Sequence, residues 1–227
     1  RGLGDVYKRQ SIARPDSLFI TDLQEKFQTA GIEVKNSNLG QLPETTWFHY
    51  PSDYLGDIVH SLNVRSDNLY AESVLRLLSL SDHEKGSAEK GIDIIRKYWQ
   101  NYEADSLELF MYDGSGLARN NKVSAKYLNC VLKETARDSL IGEYFVQTLP
   151  LAGKEGSVAT FMKHGELPGE LRLKSGSMSD VHAYAGYYTT PQNRYAIVVM
   201  INNYTCTRAQ LKQKISTLLT QVLSKKE

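Results

Sequence analysis

Cysteine is scarce: Cys130 and Cys206 are the only two in 227 residues. A chain of this length buries enough apolar surface to fold without a staple, so two unlinked thiols are expected rather than a disulfide framework. Long apolar runs are missing as well. The longest, Ala196 to Ile201, is strand-sized and falls far short of the roughly 18 residues a membrane-spanning helix needs. There is no excess charge of either sign: 27 basic and 26 acidic side chains leave a net charge of +1. That removes the basic stripe of a nucleic-acid binder and the acidic tail of a solvating segment. The five histidines, His49, His60, His83, His164 and His182, are scattered, and none pairs with Cys or Glu at metal-ligand spacing. Neither a metal nor an organic cofactor is implied. No internal repeat or low-complexity run is present.

What remains is ordinary globular composition, 41% hydrophobic and 23% charged, enough for one large domain or two small ones. The chain begins with Arg1, and residues 1–10 carry no helical or strand period and no signal-peptide pattern. They read as the foreign or misread start of a truncated reading frame, so residues 1–14 are expected to be non-native or disordered.

Period 3.6 predicts helices over 17–30, 54–62, 67–80, 87–102 and 124–137, with a shorter piece over 141–147. Ile32 to Val34 reads as short and extended, and 36–52 as a polar connection. Asn63-Val64-Arg65 reads as a break before Ser66, with Ser66 or Asp67 capping the next helix. Leu107 to Met111 is a candidate strand ended by the turn Asp113-Gly114-Ser115-Gly116. After Gly169 the pattern changes. Residues 170–177, 182–190 and 195–202 read as three strands, the last two joined by Pro191-Gln192-Asn193 as a hairpin. The third is apolar throughout 196–201, which predicts cover on both faces. A final helix over 207–223, with Leu211, Ile215, Leu218, Leu219 and Val222 on one side, is its natural lid. The fold class is α/β of the α+β kind: a helical part over about 53–165, then an antiparallel sheet and its covering helix over about 166–227.

Two short motifs carry chemistry. Lys174-Ser175-Gly176-Ser177 ends a strand and offers a charge, two hydroxyls and an open glycine, the parts of an anion site on an edge to which an extended peptide could add. Ser66-Asp67-Asn68, alone, is an ordinary helix N-cap. Its neighbourhood is more informative: Arg65-Ser66-Asp67-Asn68-Leu69-Tyr70-Ala71-Glu72, then Asp113-Gly114-Ser115-Gly116-Leu117-Ala118-Arg119, then Lys174 to Ser177, in that order.

With these motifs the sequence resembles the D-alanyl-D-alanine carboxypeptidases/endopeptidases of the low-molecular-mass class C penicillin-binding proteins. That family carries S-x-x-K, S-x-N and K-[ST]-G motifs, with a D-G-S-G-L-x-R segment before the last. The stretches Leu149 to Ser157 and Ala185-Gly186-Tyr187 are similar too, and the likeness runs from about residue 15 to the C-terminus. It implies the C-terminal portion, residues 15–227, of a transpeptidase-like domain of the serine beta-lactamase/penicillin-binding fold.

The resemblance also implies roles. Ser66 relays a proton between Lys174 and the leaving amine, and Asn68 orients the lysine of the nucleophile motif and meets the substrate amide. Ser175 and Ser177 bind the terminal carboxylate, the Ser177 N–H serves an oxyanion hole, and Gly176 keeps the strand open. Leu117, Arg119, Met178 and Ser179 line the stem-peptide pocket, where Arg119 meets a carboxylate or is an ordinary surface charge. The partners implied are peptidoglycan stem peptides and beta-lactams, and the location periplasmic or extracytoplasmic, with a signal peptide upstream.

The S-x-x-K motif is missing ahead of Ser66. The sole match, Ser87-Ala88-Glu89-Lys90, follows the S-x-N motif and reads as a helix cap. His182 tempts as a general base, but no Ser–His–Asp context supports it. The expected whole protein is therefore a serine peptidase of the cell wall whose nucleophile lies outside this chain, and which is inactive as this fragment. The alternatives are a non-catalytic peptidoglycan-binding or scaffold homologue and a beta-lactamase. Oligomeric state, the preference between carboxypeptidase and endopeptidase, and the stem-peptide residue recognised stay open.

Overall fold

The computed structural model describes residues 14–34, 51–80, 85–102, 108–162 and 167–225. The expectation for residues 1–14 lies outside these, save for Arg14, as does nearly all of the 36–52 connection. The chain divides into a unit over Arg1–Pro51 and a unit over Ser52–Glu227. In the first, helix α1 (Pro15–Thr29) starts on proline, whose missing N–H is one of the donors a helix start leaves unbonded in any case. Ile32 to Val34 follow it without strand structure.

In the second unit, alternation of period two builds a three-stranded antiparallel sheet of β3 (Glu170–Met178), β4 (Val181–Thr189) and β5 (Arg194–Asn202), in that order. Register pairs Lys174 with Ala185, Ser175 with Tyr184 and Ser177 with His182. One face carries Leu171, Leu173, Tyr184, Tyr188 and Ile197. It is closed by Leu211, Ile215, Leu219 and Leu223 of the terminal helix α7 (Arg208–Leu223). That helix starts on a reciprocal cap in which Thr207 Oγ1 accepts from Gln210 N–H and Gln210 Oε1 accepts from Thr207 N–H. The other face carries Tyr187, Ala185, Ala196 and Val198, which pack with Leu132 of α5 (Ala125–Arg137) and Val146 of α6 (Gly142–Thr148). Tyr187 Oη donates to Leu132 O at 2.7 Å and fixes that contact. Both faces of β5 are thus covered, although as an edge strand it buries only Ile197 fully.

The helical part contains α2 (Leu55–Arg65), α3 (Asn68–Leu77) and α4 (Ala88–Trp99). The break expected at 63–65 is absent. Asn63 is buried inside α2, where its amide donates to Thr148 Oγ1 at 3.0 Å, so a tertiary partner offsets a poor helix residue. Ser87 is the N-cap of α4, its Oγ accepting from Lys90 N–H at 3.1 Å. The strand expected near 107–111 is the two-residue β1 (Leu109–Phe110), with Leu107 outside the described residues. It pairs with β2 (Lys122–Val123), which is too short to show a period. The Asp113 segment is the loop between them. No disulfide joins Cys130 and Cys206, and among the described residues no helix is long and apolar enough to cross a membrane.

Candidate active site

A cleft of about 640 Å³ opens between the sheet and the helical part. Its sheet wall is the end of β3. Among the described residues, the outer edge of that strand is covered only in its first half, where Ala152 N–H donates to Leu171 O and Leu173 N–H donates to Pro150 O. Strand geometry sends the backbone groups of alternate residues to the same edge. Ser175 and Ser177, two and four positions on from Leu173, therefore direct theirs to the open stretch. A Cβ added at Gly176 would meet nothing within 4 Å, so the surface there stands clear.

The helical wall is built differently. Ser66 closes α2 in the left-handed conformation, φ 55° and ψ 52°, and its N–H donates to Leu62 O. A non-glycine residue there is uncommon and is a conformation that clusters at functional sites. It projects the hydroxyl across the cleft. Asp67, not Ser66, caps α3, its Oδ1 accepting from the N–H groups of Leu69 and Tyr70. Asn68 opens α3 and lines the cleft.

The two walls meet at Lys174. Its ammonium donates to Ser66 Oγ at 2.7 Å, a link between residues 108 positions apart, and to Ser175 O at 2.9 Å. Burial lowers the Lys174 pKa below that of an ordinary lysine. Ser175 and Ser177 each have a hydroxyl partner: Ser157 Oγ at 2.7 Å from Ser175 Oγ, and His182 Nδ1 at 3.1 Å from Ser177 Oγ.

The Asp113 loop forms the third side. Asp113 Oδ1 accepts from Gly116 N–H and from the Asn121 amide, both at 2.8 Å, and Oδ2 accepts from Ala118 N–H at 2.6 Å. Burial works to raise its pKa. The bonds from Asn121, Ala118, Gly116 and Leu117 outweigh it and leave the pKa lowered. Glu72 latches this loop to α3: its Oε1 accepts from Gly114 N–H, Ser115 N–H and Ser115 Oγ at 3.0, 3.0 and 2.8 Å. Here too burial opposes a lowered pKa and is outweighed, by Ser115, Arg76 and Gly114. Gly114 is needed for the approach, since a Cβ there would lie 2.6 Å from Ala71 O.

The structure thus brings Ser66, Asn68, Leu117, Lys174, Ser175, Gly176, Ser177 and Met178 to one cleft. Arg119 and Ser179 are exposed and do not line it. Sequence reasoning gave no role to Ser157, Arg208 or Lys212, which line it, or to Glu72, and set His182 aside. One signal for Glu72 was present: four positions after Asn68, it shares that residue's face of the helix. Ser157 stood at the end of a noted stretch, Leu149 to Ser157. It is placed by Gly156, whose φ of +52° and approach to Val64 O exclude a side chain.

The sequence profile of the D-Ala-D-Ala carboxypeptidase 3 (S13) family matches residues 6–225. The D-alanyl-D-alanine carboxypeptidase DacB of Haemophilus influenzae is 25% identical over 218 residues, 92% of this chain and 45% of that protein. The D-alanyl-D-alanine carboxypeptidase of an Actinomadura strain is 25% identical over 207 residues, 86% of this chain and 38% of that protein. The crystal structure of Haemophilus influenzae penicillin binding protein 4 superposes with a TM-score of 0.74 at 24% identity, over 94% of this chain and 50% of that one. The fold is therefore the penicillin-binding one, and the chain spans less than half the length of those two relatives.

Proposed function

The chain belongs to the D-Ala-D-Ala carboxypeptidase 3 (S13) family, and from that premise we propose that its cleft is two walls of a serine acyl-transfer site for peptidoglycan stem peptides. One observation carries this: the 2.7 Å bond from Lys174 Nζ to Ser66 Oγ, which joins the two motifs across the cleft. A hydroxyl that accepts from an ammonium has its own proton free to give onward. In the proposed reaction a serine outside these residues, in an S-x-x-K motif, attacks the carbonyl carbon of the penultimate D-Ala. Its proton passes to the lysine of that motif, which Asn68 orients. The oxyanion is held by the Ser177 N–H and by the nucleophile's own N–H.

When the C–N bond breaks, Ser66 gives its proton to the leaving amine and Lys174 replaces it. Ser175 and Ser177 hold the terminal carboxylate, and Lys174 adds positive potential. Water then releases the acyl-enzyme. Penicillins acylate the same serine and stay. Leu117 and Met178 border the stem-peptide side chain. Arg119 and Ser179 are exposed and follow the cleft residues Leu117 and Met178 in sequence, and in this reading they would meet a longer side chain or the next peptide unit. We propose an extracytoplasmic location, since that is where stem peptides are.

The test is hydrolysis of a D-Ala-D-Ala peptide and of a penicillin by the protein carrying its S-x-x-K serine. Released D-Ala together with a long-lived penicilloyl enzyme is expected. Rapid penicillin turnover would make it a beta-lactamase, and no acylation by either compound would leave a binding or scaffold protein.

A further inference from the structure

His182 is only 2% exposed, and its ring has one polar contact among the described residues, Ser177 Oγ at 3.1 Å from Nδ1. Its Nε2 is buried and has no hydrogen-bond partner among the described residues. The ring stands edge-on to Tyr184, with centroids 4.8 Å apart, and a phenyl ring would fill that place without an orphan nitrogen. The two tautomers are not equivalent. Protonation of Nε2 would bury an N–H donor with no acceptor, the rarer defect in folded proteins, whereas a bare Nε2 leaves only a lone pair unmet. The imidazolium would carry that N–H and also face the charges of Arg208 and Lys212 on α7. Among the described residues, those two, with Ser177 of β3 and Tyr184 of β4, are the groups that bear on it. The favoured state is neutral with the proton on Nδ1, donating to Ser177 Oγ. A Ser177 oxygen that accepts from Nδ1–H keeps its own O–H free to donate elsewhere.

We infer that His182 is a positioning residue that aims the Ser177 hydroxyl into the cleft, where it meets a substrate carboxylate as a donor. Ser175 differs, since its own hydroxyl donates to Ser157 Oγ at 2.7 Å. The inference rests on the reading of Ser175 and Ser177 as the carboxylate site.

The test has two arms. In the first, long-range ¹H–¹⁵N spectra of the 227-residue chain report the His182 tautomer. The Nδ1–H form near neutral pH is expected, and the Nε2–H form overturns the inference whatever any variant does. In the second, acetyl-D-Ala-D-Ala and its C-terminal amide are titrated against the chain, followed at the Ser177 amide. Wild type should prefer the free carboxylate. His182→Phe should lose about tenfold of that preference, while His182→Asn, whose amide N–H can reach the same hydroxyl, should keep it. A preference unchanged in His182→Phe overturns the inference. No preference in wild type overturns instead the carboxylate-site reading on which it stands.

Discussion

The two walls of the cleft are held by different forces. The sheet wall rests on apolar burial: Leu173, next to Lys174, is fully buried, and Tyr184 and Tyr188 beside it are no more than 1% exposed. In the helical wall, the Asp113 loop lies against Ala71 and Leu75 of α3 and is held by Glu72 and Asp113, two carboxylates that collect its backbone N–H groups. A wall made of burial is hard to move and indifferent to carboxylate titration. A wall made of carboxylate latches gives way when the latches are protonated. The Lys174–Ser66 bond spans a firm side and an adjustable one.

The contrast predicts unequal responses. Leu173→Ala removes a fully buried side chain and should cost about 2–5 kcal/mol, read as a lower midpoint in urea unfolding. A loss under 1 kcal/mol would mean that the sheet wall does not depend on that packing. Glu72→Gln keeps the shape of the latch but not its charge. It should cost about 1–2 kcal/mol and speed amide exchange at Gly114 and Ser115 while leaving Leu173 protected. Equal acceleration at both would erase the distinction between the walls. Thr207→Ala, which opens the reciprocal cap of α7, should cost about 1 kcal/mol in the same unfolding experiment, felt on the sheet side alone.

Acid separates the walls by window. Glu72 and Asp113 have lowered pKa values in the folded chain. Their contribution is complete above the unfolded values, about 4.3 and 3.9, and is lost as pH falls through the folded ones. His182 is also lowered, by burial first and then by Lys212 and Arg208. Its neutral form supports the fold above about pH 6.5, and that support declines below it. Melting temperature against pH should therefore show an upper step that His182→Asn removes and a lower step that Glu72→Gln reduces. A single step untouched by either variant would contradict both assignments.

Much of this was legible in the sequence where period and local chemistry suffice. The three strands fall within one residue of their expected starts and ends, because alternation is set by one buried face. Ser87 is a cap because the pattern is local. What escaped has its partner far along the chain. Asn63 looked like a helix break because Thr148, which satisfies it, is 85 positions away. Glu72 gave no sign of holding Gly114, 42 positions on. The left-handed turn at Ser66 has no side-chain signature at all, and His182 acquires its meaning only from the register that sets it opposite Ser177.

The most direct test of the central claim is the rate of acylation by a fluorescent penicillin, using the protein that carries its S-x-x-K serine, with Ser66→Ala against wild type. The Lys174–Ser66 relay predicts acylation slowed by about 10²-fold or more, with the fold intact by circular dichroism. Acylation at the wild-type rate in Ser66→Ala would contradict it.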